Sequence, residues 1–143
     1  MTKSRELFGE IINPWTGIIR GKAIVSSSKI SFLGDVDIET GIIVDPFSDI
    51  RGRSIRNTVF IFRGGRGSTV GASVIYGLAK RGNAPLALVT IEVDPVVVAG
   101  AIFAGIPMIS RVPEEIFDIV SSGDIVELIP ENSKKAMIRV LKG

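Results

Sequence analysis

Six consecutive residues, Gly64-Gly65-Arg66-Gly67-Ser68-Thr69, form a glycine-rich turn that delivers one hydroxyl to the point where an apolar strand gives way to a helix. A turn of this kind leaves backbone N–H groups unpaired and points the positive end of the helix dipole outward, which together favour a carboxylate or a phosphate. Ser68 lies inside that field. Oriented amides, with Arg66 beside them, also lower the cost of ionising its hydroxyl. The same spacing equally suits a plain helix cap, worth about 1 kcal/mol, with glycines that only permit the turn. On the loop alone both readings stand. The hydroxyl draws attention because the 143 residues include no Cys and no His, so any chemistry must use hydroxyls, carboxylates, amines or groups brought by another molecule.

Known phosphate motifs fit the loop poorly. Gly65-Arg66-Gly67 followed by Gly71 has the spacing G-x-G-x-x-x-G, one residue longer than the dinucleotide fingerprint, and Arg66 stands where a pyrophosphate needs close backbone approach. The nucleotide-cradling G-x-x-x-x-G-K-[ST] pattern does not occur. Gly34-Asp35-Val36-Asp37 with Glu39 has too few correctly spaced ligands for a calcium loop and reads better as a turn, as does Asp45-Pro46. Glu92 and Asp94 follow a strand at its C-terminal end, where parallel sheets bind ligands, and rank as secondary candidates.

Charge reinforces the anion reading. Between Ile50 and Ile91 there is no Asp or Glu, but there are seven cations: Arg51, Arg53, Arg56, Arg63, Arg66, Lys80 and Arg81; with a net charge of +2, the remainder of the chain carries −5. Such a field attracts anions and speeds their encounter, although an ordinary solvated or interface face has the same composition. Nucleic acid is a weaker partner, because one Trp and one Tyr do not interleave with the arginines as a stacking platform requires.

The elements that must hold the loop follow from periodicity. Ala23 to Val25, Ile30 to Phe32 and Gly41 to Val44 are short β-type runs separated by Ser, Gly and Asp clusters, which predict a meander. Thr58 to Phe62 is a continuous apolar strand of the kind buried on both faces. From Val70 to Arg81, Val70, Val74 and Leu78 recur at helical spacing; Ser68 or Thr69 can cap the start, and Gly82 can close the end. Leu86 to Ile91 completes a strand-helix-strand unit expected to be a right-handed parallel crossover. A second cycle is predicted from Val96 to Ala104 (helix) and Met108 to Ser110 (third parallel strand). Pro113, Glu114 and Glu115 open a short helix ending near Ser121, and Ile125 to Ile129 pairs with Ala136 to Leu141 as a closing hairpin. The fold class is therefore α/β in a single unit over 1–143: a mixed sheet with a parallel βαβ core and β strands at both ends.

Hydrophobic residues make up 45% and mean hydropathy is +0.40, which calls for elements buried on both faces or a large partner interface, so a solitary monomer is not expected. The longest uncharged run, Pro95 to Ser110, is broken by Gly100, Gly105 and Pro107 and is too short to span a bilayer. Met1 to Glu10 is charged and lacks the apolar core of a secretory signal, so a cytoplasmic location is expected.

Several segments together resemble one family. Ser31-Phe32-Leu33-Gly34-Asp35-Val36-Asp37 through Thr40-Gly41, then Gly65-Arg66-Gly67-Ser68-Thr69, then Asn83-Ala84-Pro85, and Gly100 through Gly105-Ile106-Pro107 resemble the small, swivel-domain subunit of aconitase X proteins. The likeness runs from about Gly21 to Pro107, with Ser122-Gly123-Asp124 loosely similar, and the combination is far more specific than any one motif. It implies a swivelling β/β/α domain docked on a large subunit whose cysteines hold a 4Fe–4S cluster, so that this chain needs no metal ligands. It implies Ser68 as catalytic base in a hydro-lyase, dehydrating (R)-5-phosphomevalonate to trans-anhydromevalonate 5-phosphate in a mevalonate route to isoprenoids. Dehydration of a hydroxyproline by a related enzyme, or a non-catalytic anion-binding subunit, are the competing expectations. Position and charge assign Arg63, Arg66, Gly67 and Thr69 to the substrate's carboxylate or phosphate.

Overall fold

The chain alternates strands and helices: β1 (Lys3–Asn13), β2 (Ile19–Ile30), α1 (Phe32–Asp35), β3 (Val59–Gly65), α2 (Gly71–Lys80), β4 (Ala87–Thr90), α3 (Pro95–Ala104), β5 (Met108–Ser110), α4 (Ile116–Ile119), β6 (Ile125–Pro130) and β7 (Lys135–Lys142). This is a computed structural model, and it describes residues 3–142. The strands close into a barrel in the order β1-β5-β4-β3-β2-β6-β7. Four of them, β2 to β5, are parallel to their neighbours in that block, while β6, β7 and β1 complete the ring with antiparallel pairs.

Strand β3 shows why the sheet must be covered on both sides. Phe60 and Phe62 point to one face, where they join Phe32, Ile75, Leu78 and Val97 beneath the helices. Val59 and Ile61 point to the other, into the barrel with Val89, Ile109, Leu128 and Ile138. Phe60 and Phe62 stack with centroids 4.5 Å apart, and Phe32 meets Phe62 edge-on at 5.9 Å. The unbroken apolar run from Val59 to Phe62 in β3 thus serves two cores rather than one. Helices α2 and α3 cross closely at Gly100, where a Cβ would come within 2.7 Å of Ile75 Cδ1.

The predicted α/β unit is present: β3 and β4 are parallel on either side of α2, β4 and β5 on either side of α3, and β6 with β7 forms the hairpin. The three consecutive valines after Pro95 are helical because Pro95 occupies the first turn and Asp94 Oδ2 accepts hydrogen bonds from Val96 N (3.1 Å) and Val97 N (3.0 Å), fixing the helix start.

The N-terminal half differs from the expected meander. Residues 19–30 form one strand, β2, which appears as two in the sequence because the ladder to β3 is irregular between Ser26 and Lys29, across the Ser27-Ser28 pair. β2 also extends the parallel block to four strands. Ile30 to Phe32 is not a strand of its own: Ile30 ends β2, and Phe32 opens α1 and buries its ring against β3. Gly41 to Val44 makes only isolated bridges, Val36 with Ile43 and Ile42 with Ser54. β1 falls outside every predicted element, since its inward residues include Leu7 and then Gly9, whose missing side chain leaves room for Ile109 and Val112. The C-terminal short helix is a single turn, Ile116–Ile119.

Candidate functional site

The glycine-rich loop leaves the C-terminal end of β3 and enters α2 by way of a tight turn. Gly71 N donates to Ser68 O (3.0 Å) and Ala72 N to Thr69 O (3.3 Å), so the chain is already winding before the α-helix begins at Gly71. Ser68 Oγ accepts a hydrogen bond from Val70 N at 3.1 Å. Ser68 therefore caps this lead-in turn, whereas the residue preceding the helix proper, Val70, has no side-chain cap. Val70 is also exposed, so the apolar stripe of α2 is carried by Val74, Ile75 and Leu78.

Ser68 is exposed, as are Arg66, Gly67 and Thr69. Among the described residues, no backbone oxygen accepts from the N–H groups of Gly67, Ser68 or Thr69. Three successive amides without a backbone acceptor thus lie in exposed residues beside a hydroxyl that already receives a backbone N–H, an arrangement able to stabilise negative charge on that oxygen or on a ligand next to it. Gly67 has φ +90°, and a Cβ there would lie 2.7 Å from Ser31 Oγ, so both backbone conformation and space require glycine.

The two arginines are placed differently. Arg66 spans to the β2–α1 junction: Nε donates to Lys29 O (3.3 Å), and Nη2 lies 2.9 Å from Asp35 Oδ2 and 3.9 Å from Asp45 Oδ2. Arg63 follows the barrel-facing side of β3 and leans away from the loop. Its Nε donates to Ser27 O (2.7 Å), Nη2 pairs with Glu114 Oε1 (2.7 Å), and its guanidinium sits over the Phe117 ring at 5.2 Å.

The secondary candidates resolve into supports. Asp94 caps α3 with the same Oδ2 that would lie 2.6 Å from a Cβ at Gly65, so the loop's second glycine exists to let β3 pass the α3 cap. Glu92 is exposed and pairs with Lys29 at 3.3 Å. The segment from Gly34 to Glu39 is only partly the expected turn: Gly34 and Asp35 end α1 and Val36 bridges Ile43, and the turn follows, where Asp37 accepts from Glu39 N and Thr40 Oγ1 and Glu39 pairs with Arg81. Asp45 likewise closes a turn by accepting from Phe47 N. Among the described residues no three His, Cys, Asp or Glu side chains are grouped so as to hold a metal ion.

Sequence reading missed Ser31, whose hydroxyl lies against Gly67, and the tie from Asp35 to Arg66, because both depend on contacts about 30 residues or more apart in the chain. It also missed an apolar rim. Leu33, Val44, Phe47 and Val70, on the segments surrounding the loop, are all exposed, Phe47 at 94%.

Similarity to known proteins follows the same frame. An aconitase X swivel-domain profile matches residues 9–138. The chain belongs to the aconitase X swivel-domain family. It is 50% identical over 110 residues to the phosphomevalonate dehydratase small subunit of Methanothrix thermoacetophila, covering 77% of this chain and 80% of that one. It is 43% identical over 126 residues to the protein of the same name from Thermococcus sibiricus, covering 88% and 89%. The crystal structure of Thermococcus kodakaraensis aconitase X in its holo-form superposes with a TM-score of 0.82 at 40% identity, over 94% of this chain and 98% of that one. A swivel-domain chain of the aconitase X family thus has the mixed parallel and antiparallel architecture described above. The words "small subunit" imply a larger partner for those relatives. No helix among the described residues is long and apolar enough to cross a membrane.

Proposed function

We propose that this chain is the small subunit of a two-subunit hydro-lyase that dehydrates (R)-5-phosphomevalonate to trans-anhydromevalonate 5-phosphate, and that Ser68 is its catalytic base. The single observation that carries the reading is the loop itself: an exposed serine whose hydroxyl accepts Val70 N–H, in a run of three amides without a backbone acceptor, in a chain whose relatives are named for this dehydration.

The chemistry needs a base because a proton on carbon next to a carboxylate is weakly acidic. Ser68 Oγ takes that proton, the C=C bond forms, and the hydroxyl on the neighbouring carbon departs with a second proton as water. The amides of Gly67, Ser68 and Thr69 stabilise the negative charge that develops, and the donors of Arg66 not directed at Asp35 face the substrate's carboxylate or phosphate. Arg63 reaches an anion only by exchanging Glu114 for it, so Glu114 holds a place that an acidic substrate group can take.

An iron–sulfur cluster does not fit the residues of this chain, which has no Cys and no His and no grouped carboxylates among the described residues. In this proposal the cluster would be held by the larger, cysteine-bearing subunit, where it would supply Lewis-acid chemistry. The exposed apolar rim around the loop supports a partner seated over Ser68, since side chains such as Phe47 lose water-exposed area only against another surface. The whole chain acts as one swivelling unit, in the cytoplasm.

Reconstitution of the two subunits tests the reading. The assembled enzyme is expected to turn over phosphomevalonate, and Ser68→Ala to pair normally while losing turnover. Near wild-type turnover by that variant removes the base assignment, and turnover of hydroxyproline in place of phosphomevalonate removes the substrate assignment.

A further inference from the structure

Asp35 is the one acidic side chain of the described chain that is buried, and it is not held there by packing alone. Its Oδ2 accepts a hydrogen bond from Ser31 N at 2.8 Å and lies 2.9 Å from Arg66 Nη2. Its backbone oxygen accepts from Val44 N at 2.8 Å, so the Asp45 segment, whose carboxylate is also near Arg66, is drawn to the same place. Burying a carboxylate is costly unless it is paired and hydrogen-bonded, and here both partners stand at the junction of α1 with the glycine-rich loop.

The loop needs such an anchor. From Arg66 to Val70 every residue is exposed, two of the three positions before Ser68 are glycines, and no apolar side chain between Arg66 and Ser68 fastens the segment to the core. What fastens it is a set of polar ties to residues 29–35: Arg66 N to Ile30 O (3.1 Å), Arg66 Nε to Lys29 O (3.3 Å), Arg66 Nη2 to Asp35, and the approach of Gly67 to Ser31. Only one of these is an ion pair, and it is the one whose acceptor is shielded from water, where charge pairing is screened least.

We propose that Asp35 is a positioning residue for Ser68: acting through Arg66 and the Ser31 amide, its carboxylate locks the glycine-rich loop against α1 and thereby sets turnover rather than substrate affinity. Asp35 touches neither Ser68 nor the open amides, so its effect travels through loop geometry, and misplacement of a reacting group by about 1 Å costs on the order of 100-fold in rate. The inference rests on Ser68 being the base.

The test uses the assembled two-subunit enzyme. Asp35→Asn keeps the shape and an acceptor for Ser31 N but removes the charge, and is expected to lower kcat about 10-fold; Asp35→Ala is expected to lower it about 100-fold, with KM changed by less than about 3-fold in both. Amide hydrogen exchange at Arg66 and Val70, whose N–H groups donate to Ile30 O and Ser68 Oγ, should speed up in both variants while exchange in β3 and β4 stays slow. The double variant Asp35→Ala/Arg66→Ala should have a kcat close to that of the worse single variant, because both single variants already remove the Arg66–Asp35 pair. If Asp35→Ala fails to pair with its partner, Asp35→Asn carries the same readouts. Unchanged kcat, or a raised KM at constant kcat, overturns the proposal, as does unchanged exchange in the loop. Ser68→Ala in the same preparation separates the two readings: active Ser68→Ala removes the base, whereas inactive Ser68→Ala beside fully active Asp35 variants removes only the lock.

Discussion

Inside the barrel, Val59, Ile61, Val89, Ile109, Leu128 and Ile138 are completely buried and present no polar atom to one another. Just past the end of β3, from Arg66 to Val70, every residue is exposed and the contacts holding the segment are hydrogen bonds and ion pairs. One strand thus passes from a region where stability comes from area removed from water to one where position comes from a few directed bonds. The lesson is that the two can be damaged separately. Changes in the barrel should cost folding and spare chemistry, and changes in the loop should do the reverse.

Ser68→Ala is the sharpest probe of that separation. Loss of a general base costs about 100- to 10,000-fold in kcat, while the thermal midpoint of the chain should fall by no more than the loss of a turn cap worth about 1 kcal/mol implies. Kinetics and calorimetry on the same sample check both halves. Leu128→Ala makes the opposite cut: about 2–5 kcal/mol of stability lost by denaturant titration, with kcat of the enzyme that remains folded close to wild type. Gly67→Ala tests the boundary, since it forces a side chain into φ +90° and against Ser31. Its expected cost is about 1–2 kcal/mol of stability, and it should lower kcat if the loop shifts to relieve the contact; a variant with full activity would show that loop position is not set at Gly67. Asp94→Ala removes two capping bonds from α3 and should cost about 1 kcal/mol with little change in kcat, which a melting curve and a rate measurement decide.

The same division explains what the amino-acid order reveals. Elements that bury both faces or one stripe are visible, as with Thr58 to Phe62, the 71–80 helix and the closing hairpin, because burial writes itself as periodicity. β1 is not, since a glycine does the work of a large inward residue, and β2 is read in pieces because Ser27-Ser28 interrupts both its ladder and its pattern. The serine and its loop are legible through glycine spacing and charge. Their mooring is not: Asp35 reads as one carboxylate of a turn, and its link to Arg66 exists only after β2 and β3 align in parallel. Likewise Arg63 and Arg66 look equivalent in sequence, but three residues of strand alternation send Arg63 toward Glu114 and Phe117 on the barrel side.

The closure of the strands has one further effect. With β1 hydrogen-bonded to both β5 and β7, the strands among the described residues form an unbroken circuit, with no edge strand among them onto which another polypeptide could dock by its main chain. Whatever grips this molecule must do so through side chains and loop tips, and such a grip can be released and re-formed without disturbing the ring.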